Sequence, residues 1–356
     1  PWPNANPGHR SREAVGLRHP VPWTGRGALA TLAGMKTFAD PGQARHSPQF
    51  FLIRGEMRPN YEVPARAAAL EAALHRMGLP PEAAPAATRA QLEMLHRADY
   101  LDFLRDAMAE WSTLPTKGPE AVPNMHATAD ALANGARCPG SIVGRVAWYT
   151  ADNACPIGPG TWEAAIGAAG VALAAAAEAA AGRTAYALCR PPGHHAYAAR
   201  AGGHCYVNNA ALAAEALRRA GAARVAVLDI DSHHGNGTQG MFWDRGDVLT
   251  VSVHGDPNRY YPFFTGYAEE RGTRAGEGHN LNLPLAFGTG DDGWLAAVSR
   301  GADAARSFGA EALVVSLGFD ASRDEPLNAL YVTEDGFARA GALLGGLRLP
   351  SAIVQE

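Results

Sequence analysis

From residue 162 onward, apolar positions fall into two alternating patterns. Short apolar runs at 183–189, 225–230, 248–253, 312–317 and 351–354 read as buried strands. Between most of them lie stretches of helical length and spacing: 162–181, rich in alanine, then 209–220, 292–308 and 333–344. Gly221 stands just past one of these and marks its end. Strands alternating with helices predict an α/β domain in three layers, with a mostly parallel sheet covered on both faces. The first half is less regular. A helix is expected from Ala65 to about Met77, stopped by Gly78 and Pro80, and another begins at Asp99. Thr88 can cap a short helical piece between them. Residues 50–64, broken by Pro59 and Pro64, read as loop, as do 112–145. Residues 1–34 are rich in Pro, Gly and Arg and lack periodicity. They are expected to be an extension, disordered or non-native, with Met35 as the natural start and 35–356 as the domain.

Polar groups recur past the carboxyl ends of the strands, where open parallel sheets bind ligands. His194 and His195 follow the first run, Asp231 and His233 the second, His254 and Asp256 the third, and Asp320 the fourth. Asp231 and His233 are two apart and in an extended segment project to one side. With Asp320 they make an O, N, O set with an open position, the layout of a catalytic divalent-metal site. Asp229 can accept a proton from an imidazole behind the metal, and His194 and His195 can serve as general base and acid. Each piece alone has a plain structural reading. Asp320 suits a cap or turn, Asn208 and Asn209 suit a helix N-terminus, and His96, His126, His204 and His279 suit structural or surface positions. The joint order at successive strand ends is what points to one cleft.

Composition narrows the partners. A formal net charge of −4 sets up no strong field for nucleic acid or an anionic membrane, so neither is expected. Four cysteines without a C-x-x-C spacing read as reduced thiols, which fits the cytoplasm. No uninterrupted apolar run reaches the roughly 18 residues of a membrane span.

Five motifs together resemble those of the histone deacetylase family. They are Arg190-Pro191-Pro192-Gly193-His194-His195, Tyr206-Val207-Asn208-Asn209, the run from Leu228 to Thr238, the run from Ser252 to Pro257, and Ser316-Leu317-Gly318-Phe319-Asp320. The similarity extends from about Met35 to the last residue. The stretches 158–163, 266–270 and 276–284 lean toward the bacterial acetylpolyamine amidohydrolases and class II members. The resemblance implies the arginase–deacetylase fold and zinc bound by Asp231, His233 and Asp320, although ferrous iron suits the same ligands. It implies His194 and His195 as the tandem acid/base pair, with Asp229 orienting His194. Asn236 stands behind His195 where class I relatives have Asp, and should raise that pKa less. Structural potassium is implied at Asp229 with Ser252, and separately at Phe242, Arg245 and Val248. His204 and Tyr261 fall on the aromatic walls of an acyl channel, beside Gly203; His204 replaces the usual Phe or Tyr and makes the tunnel more polar. Asp152 and Glu163 are the candidates for an acidic mouth that attracts a cationic substrate. Loop 50–64 is implied to line that mouth and to form a homodimer contact.

Two departures bear on activity. The arginases, which share the fold and hold two manganese ions, need carboxylates where this chain has Gly235 and Ser322, which argues against a binuclear site. The family's oxyanion-stabilising tyrosine follows a strand resembling Ile353–Glu356 in a Gly-Gly-Tyr that this sequence does not contain. The expectation is a C-terminally incomplete domain, slowed by about 10²–10³ for the missing donor. The implied activity is deacetylation of small acetylated amines. The alternatives are a protein acetyl-lysine deacetylase and an inactive metal-binding fragment.

Overall fold

In the computed structural model, which describes residues 34–326 and 329–356, nine strands are present. They are β1 (Lys36–Ala39), β2 (Phe50–Ile53), β3 (Glu56–Pro59), β4 (Thr184–Leu188), β5 (Val225–Asp229), β6 (Val248–Gly255), β7 (Asn280–Leu285), β8 (Ala312–Leu317) and β9 (Ser351–Gln355). Seven of them form one sheet in the order β1-β4-β9-β8-β5-β6-β7. Every pairing in it is parallel. Residues 35–356 cluster as one compact unit. The expected extension, apart from Gly34, lies outside the described residues.

The strands alternate with a period of two, and both faces are covered. Val225, Val227, Val314 and Val354 point to one side, where they meet alanines of the helices Thr161–Ala180 and Asn209–Arg219. Ala226, Leu228, Leu313 and Val315 point to the other, against Trp294 and Val298 of the helix Asp291–Phe308 and Leu344 of the helix Glu334–Gly345. This is the three-layer α/β/α arrangement. The helix Thr161–Ala180 is long and apolar enough to cross a membrane by length and composition, but about two thirds of that window is buried inside the fold. Its apolarity serves packing on both sides: Ala172 and Ala175 face the sheet, while Ala165 and Ala169 face an outer cluster with Phe103 and Tyr149.

Several elements differ from expectation. Residues 50–59 are an antiparallel hairpin, not a loop, with Ile53 paired to Glu56 across a two-residue turn. Both turn residues, Arg54 (φ 51°) and Gly55 (φ 80°), are left-handed, as such a turn requires. Pro59 lies at the strand end, where it breaks no ladder. Within 112–145, short helices at Ala129–Ala133 and from Ile142 are capped by Thr128 and Ser141. The strand β7 carries Asn280 and Asn282 pointing inward; their side-chain amides bond Gln239, and Asn282 also bonds Glu270. The two asparagines alternate with Leu281 and Leu283, so one face of the strand is satisfied by a buried polar network rather than by apolar packing.

Candidate metal centre and active site

The carboxyl ends of β4, β5, β8 and β9 converge on one floor. Beyond β4, the loop carrying His194 and His195 is held from below. The buried Arg190 guanidinium pairs with the buried Glu62 carboxylate at 2.6 Å and donates to the Gln43 carbonyl at 2.6 Å and the Glu62 carbonyl at 3.1 Å. At the end of β9, the Glu356 carboxylate accepts the Gly193 amide at 2.6 Å, the His194 amide at 3.0 Å and the Ser316 hydroxyl at 2.7 Å. Burial raises the pKa of Glu356 to about 7, with the His194 charge and these hydrogen bonds working against it.

Beyond β5, Asp231 and His233 turn toward Asp320, which follows β8. One ligand atom from each lies within 4.8 Å of the others. His233 Nδ1 is 3.2 Å from Asp231 and 2.7 Å from Asp320. Burial opposes charge on His233, but hydrogen bonds to the two carboxylates, with their charges, raise its pKa to about 10. The two carboxylates beside His233 make the cluster one that demands positive charge. A divalent cation suits the same place, so the donor set fits one metal ion. Gly318 is required here, because a Cβ would lie 2.0 Å from an Asp231 carboxylate oxygen. Ser232 steadies Asp320 through its amide at 2.8 Å and its hydroxyl at 2.7 Å. Tyr260 stacks on His233 at 4.4 Å, and its hydroxyl lies 3.1 Å from that of Ser232.

The tandem histidines lie side by side, ring centroids 4.0 Å apart. His194 Nδ1 bonds Asp229 at 2.9 Å, and its Nε2 is 3.8 Å from Asp231. His195 Nδ1 bonds Asn236 at 2.6 Å, whose amide nitrogen donates to the Tyr197 hydroxyl at 3.0 Å. Burial works against charge on both rings. For His194 the Asp229 and Asp231 carboxylates outweigh it and lift the pKa well above the usual range. For His195 burial prevails, helped by the neighbouring His194 and His233 charges, and the pKa falls well below it.

Above this floor opens a cleft of about 600 Å³. Its walls include Phe51, Tyr61, His204, Tyr261, Phe263 and Phe319. Tyr261 stands edge-on to His195, centroids 4.9 Å apart, and His204 is edge-on to Phe51 of the hairpin at 5.9 Å. Gly203 also lines the cleft. Glu325, which the sequence did not single out, lines it as well. Asp152 and Glu163 are not among its lining residues: Asp152 lies behind the wall, bonded to Tyr261, and Glu163 is exposed on the first turn of the helix Thr161–Ala180. Asp229 and Ser252 are cross-strand partners on β5 and β6, while Phe242, Arg245 and Val248 span the turn from the helix Asn236–Phe242 into β6. His254, placed by sequence near the cleft, is buried inside β6, with Nδ1 on the Ser252 hydroxyl and Nε2 on the Gly266 carbonyl.

An Asp–His–Asp triad able to hold a metal ion, beside tandem histidines at the carboxyl edge of a parallel sheet, defines a class of site that known proteins share. Residues 60–355 match the family described as the histone deacetylase domain. The chain belongs to the histone deacetylase family, and its site is that of a hydrolytic deacetylase. It is 46% identical over 324 residues to an acetylpolyamine amidohydrolase of Burkholderia pseudomallei, covering 90% of this chain and 93% of that protein. It is 41% identical over 313 residues to acetylpolyamine amidohydrolase 1 of Pseudomonas aeruginosa, covering 87% and 90%. The crystal structure of an acetylpolyamine aminohydrolase from Burkholderia pseudomallei, an iodide soak, superposes with a TM-score of 0.86 at 45% identity, covering 91% of this chain and 93% of that one.

Proposed function

We propose that this protein is a zinc-dependent deacetylase that hydrolyses the acetamide of small acetylated amines of the acetylpolyamine class. The observation that carries the reading is the O, N, O triad of Asp231, His233 and Asp320 directly beside His194 and His195, at the floor of an aromatic-walled cleft. The acetylpolyamine amidohydrolases named above, covered over nearly their whole length, support the substrate class. Bound by the triad, zinc supplies Lewis-acid polarisation of a carbonyl and a lowered pKa for water. The chain's own residues divide the proton work. His195, backed by the neutral Asn236 amide, is suited to take a proton from the attacking water. His194, backed by the Asp229 carboxylate, holds a proton more readily and is suited to deliver one to the departing amine. The aromatic walls exclude water from the aliphatic stem of the amide.

Three finer points belong to this proposal. Potassium is assigned to Asp229 with Ser252, and to Phe242, Arg245 and Val248; a niche of about 10 Å³ lined by Asp229, Ser252 and Gln239 adjoins the first. A cytoplasmic location is supported by four unpaired cysteines, three of them buried. A homodimer through the hairpin is supported by Leu52 and Met57, exposed to 47% and 67%.

The test is hydrolysis of N-acetylputrescine beside an acetyl-lysine peptide, with zinc-loaded full-length protein and Asp231→Ala as control. Turnover of the diamine that vanishes in the control is expected. Preference for the peptide moves the reading to protein deacetylation. Cleavage of neither, with zinc bound, overturns it.

A further inference from the structure

The Asp152 carboxylate has its partners inside the protein. Its Oδ2 accepts the Tyr261 hydroxyl at 2.5 Å. The Gly203 amide reaches both oxygens, at 3.1 and 3.3 Å, and Oδ1 also accepts the Ala154 amide at 2.7 Å. Three donors thus converge on two oxygens, one of them through a short charge-assisted bond. Asp152 itself does not line the cleft, whereas Tyr261, Gly203 and Ala154 do. Both tied segments pack against the machinery. The Tyr261 ring stands edge-on to His195 at 4.9 Å and to His233 at 5.9 Å. At Gly203, left-handed at φ 50°, a Cβ would come within 2.3 Å of the His195 ring and 2.8 Å of the Tyr261 hydroxyl. One carboxylate therefore fastens, from behind, two walls that meet at the same imidazole.

Resting on the deacetylase reading, we propose that Asp152 is a positioning residue. It holds Tyr261 and the Gly203–His204 segment against His195 and so sets the width of the tunnel. It is not the receptor for the distal ammonium of a cationic substrate. From within the cleft, which Asp152 does not line, an ammonium meets Tyr261 and Gly203 before this carboxylate.

The test is a double-mutant cycle of Asp152→Asn and Tyr261→Phe in the full-length protein, read on two amides: cationic N-acetylputrescine and neutral N-butylacetamide. Tyr261→Phe keeps the ring and removes only the hydroxyl. Each single substitution is expected to lower kcat/KM about tenfold, the scale of one charge-assisted hydrogen bond. The factor should be the same for both amides and appear mainly in KM. The double variant should lose clearly less than the product of the two single losses, because both substitutions disturb the Tyr261–Asp152 bond, although Asp152→Asn also weakens the Gly203 and Ala154 contacts. Penalties that multiply, or an Asp152→Asn loss confined to the cationic amide, would overturn the proposal. Urea unfolding of the same four proteins reads the bond without turnover, and additive free energies there overturn it as well. If the unsubstituted protein cleaves neither amide, the deacetylase reading fails separately, and the unfolding cycle still decides the clamp.

Discussion

At Gly318 the demand on one residue is geometric. The glycine precedes Phe319 and Asp320 in the β8 loop, and its hydrogen atoms leave room for the Asp231 carboxylate. A methyl group there forces Asp231 aside, since its near oxygen is a polar ligand atom held in a crowded cluster. Gly318→Ala should therefore weaken zinc binding by about 10- to 100-fold, the range for disturbing the support of a metal ligand. Zinc titration against a competing chelator reads this, with far-UV circular dichroism checking the fold. An unchanged affinity would remove Asp231 from the ligand set. The triad itself was legible in the sequence because its logic is local: two residues at i and i+2 past a strand, and one past another strand. Glu356, Ser232 and Tyr260 were not, because their roles arise through distant or packed neighbours. Glu356 reaches Gly193 across 163 positions of chain, and nothing near either residue announces the contact.

Among the elements, the hairpin β2–β3 most changes the picture. It brings Phe51 to the cleft wall, and its partner strand leaves Met57 in solvent. The sequence hid it, since Phe50–Ile53 is uniformly apolar, Glu56–Pro59 is only four residues long, and the turn depends on a left-handed Arg54 as well as Gly55. Two-stranded hairpins are marginal alone, so an apolar one at a rim is suited to a partner surface. If it forms the proposed dimer contact, Leu52→Glu with Met57→Glu should shift the protein to half its assembled mass in light scattering at micromolar concentration. A monomer before substitution, or a dimer unchanged after it, sinks that proposal. The element that leads the histidine loop is the counterexample: Arg190-Pro191-Pro192-Gly193 was visible at once. What the tertiary structure added is why an arginine opens it, buried against Glu62 and two carbonyls.

For the whole molecule, folding also buries histidines that belong to neither the triad nor the tandem pair, and burial disfavours their charged form. Burial lowers the pKa of His46 to about 3 and that of His96 to about 4, from an ordinary value of 6.5. The unfolded chain therefore takes these protons first as pH falls. The stabilisation is complete above pH 6.5 and is lost between there and the folded-state values, at about 1.4 kcal/mol per pH unit for each group. His96→Gln removes one such group, along with the ring nitrogen that accepts the Asn208 amide at 3.0 Å. The variant should be less stable at pH 7.5 and approach its parent by about 2 kcal/mol between pH 6.5 and 5, measured by urea unfolding. A gap that stays constant with pH would show that the His96 proton plays no part.

The sequence by itself determined the layers and the chemistry at the strand ends. Apolar runs of strand length between helices admit few packings, and the residues that follow buried parallel strands gather at the carboxyl edge of the sheet, where ligands bind. It also carried the order of motifs that the family shares. Only the tertiary structure decided which of those polar groups face the cleft. His254 lies near the same strand ends yet turns into the core, bonded to Ser252 and Gly266. Asp152, a candidate for the mouth, is drawn behind the wall by Tyr261. A side chain's direction is set by donors and acceptors that meet only when distant segments pack, and that information is not carried by spacing along the chain.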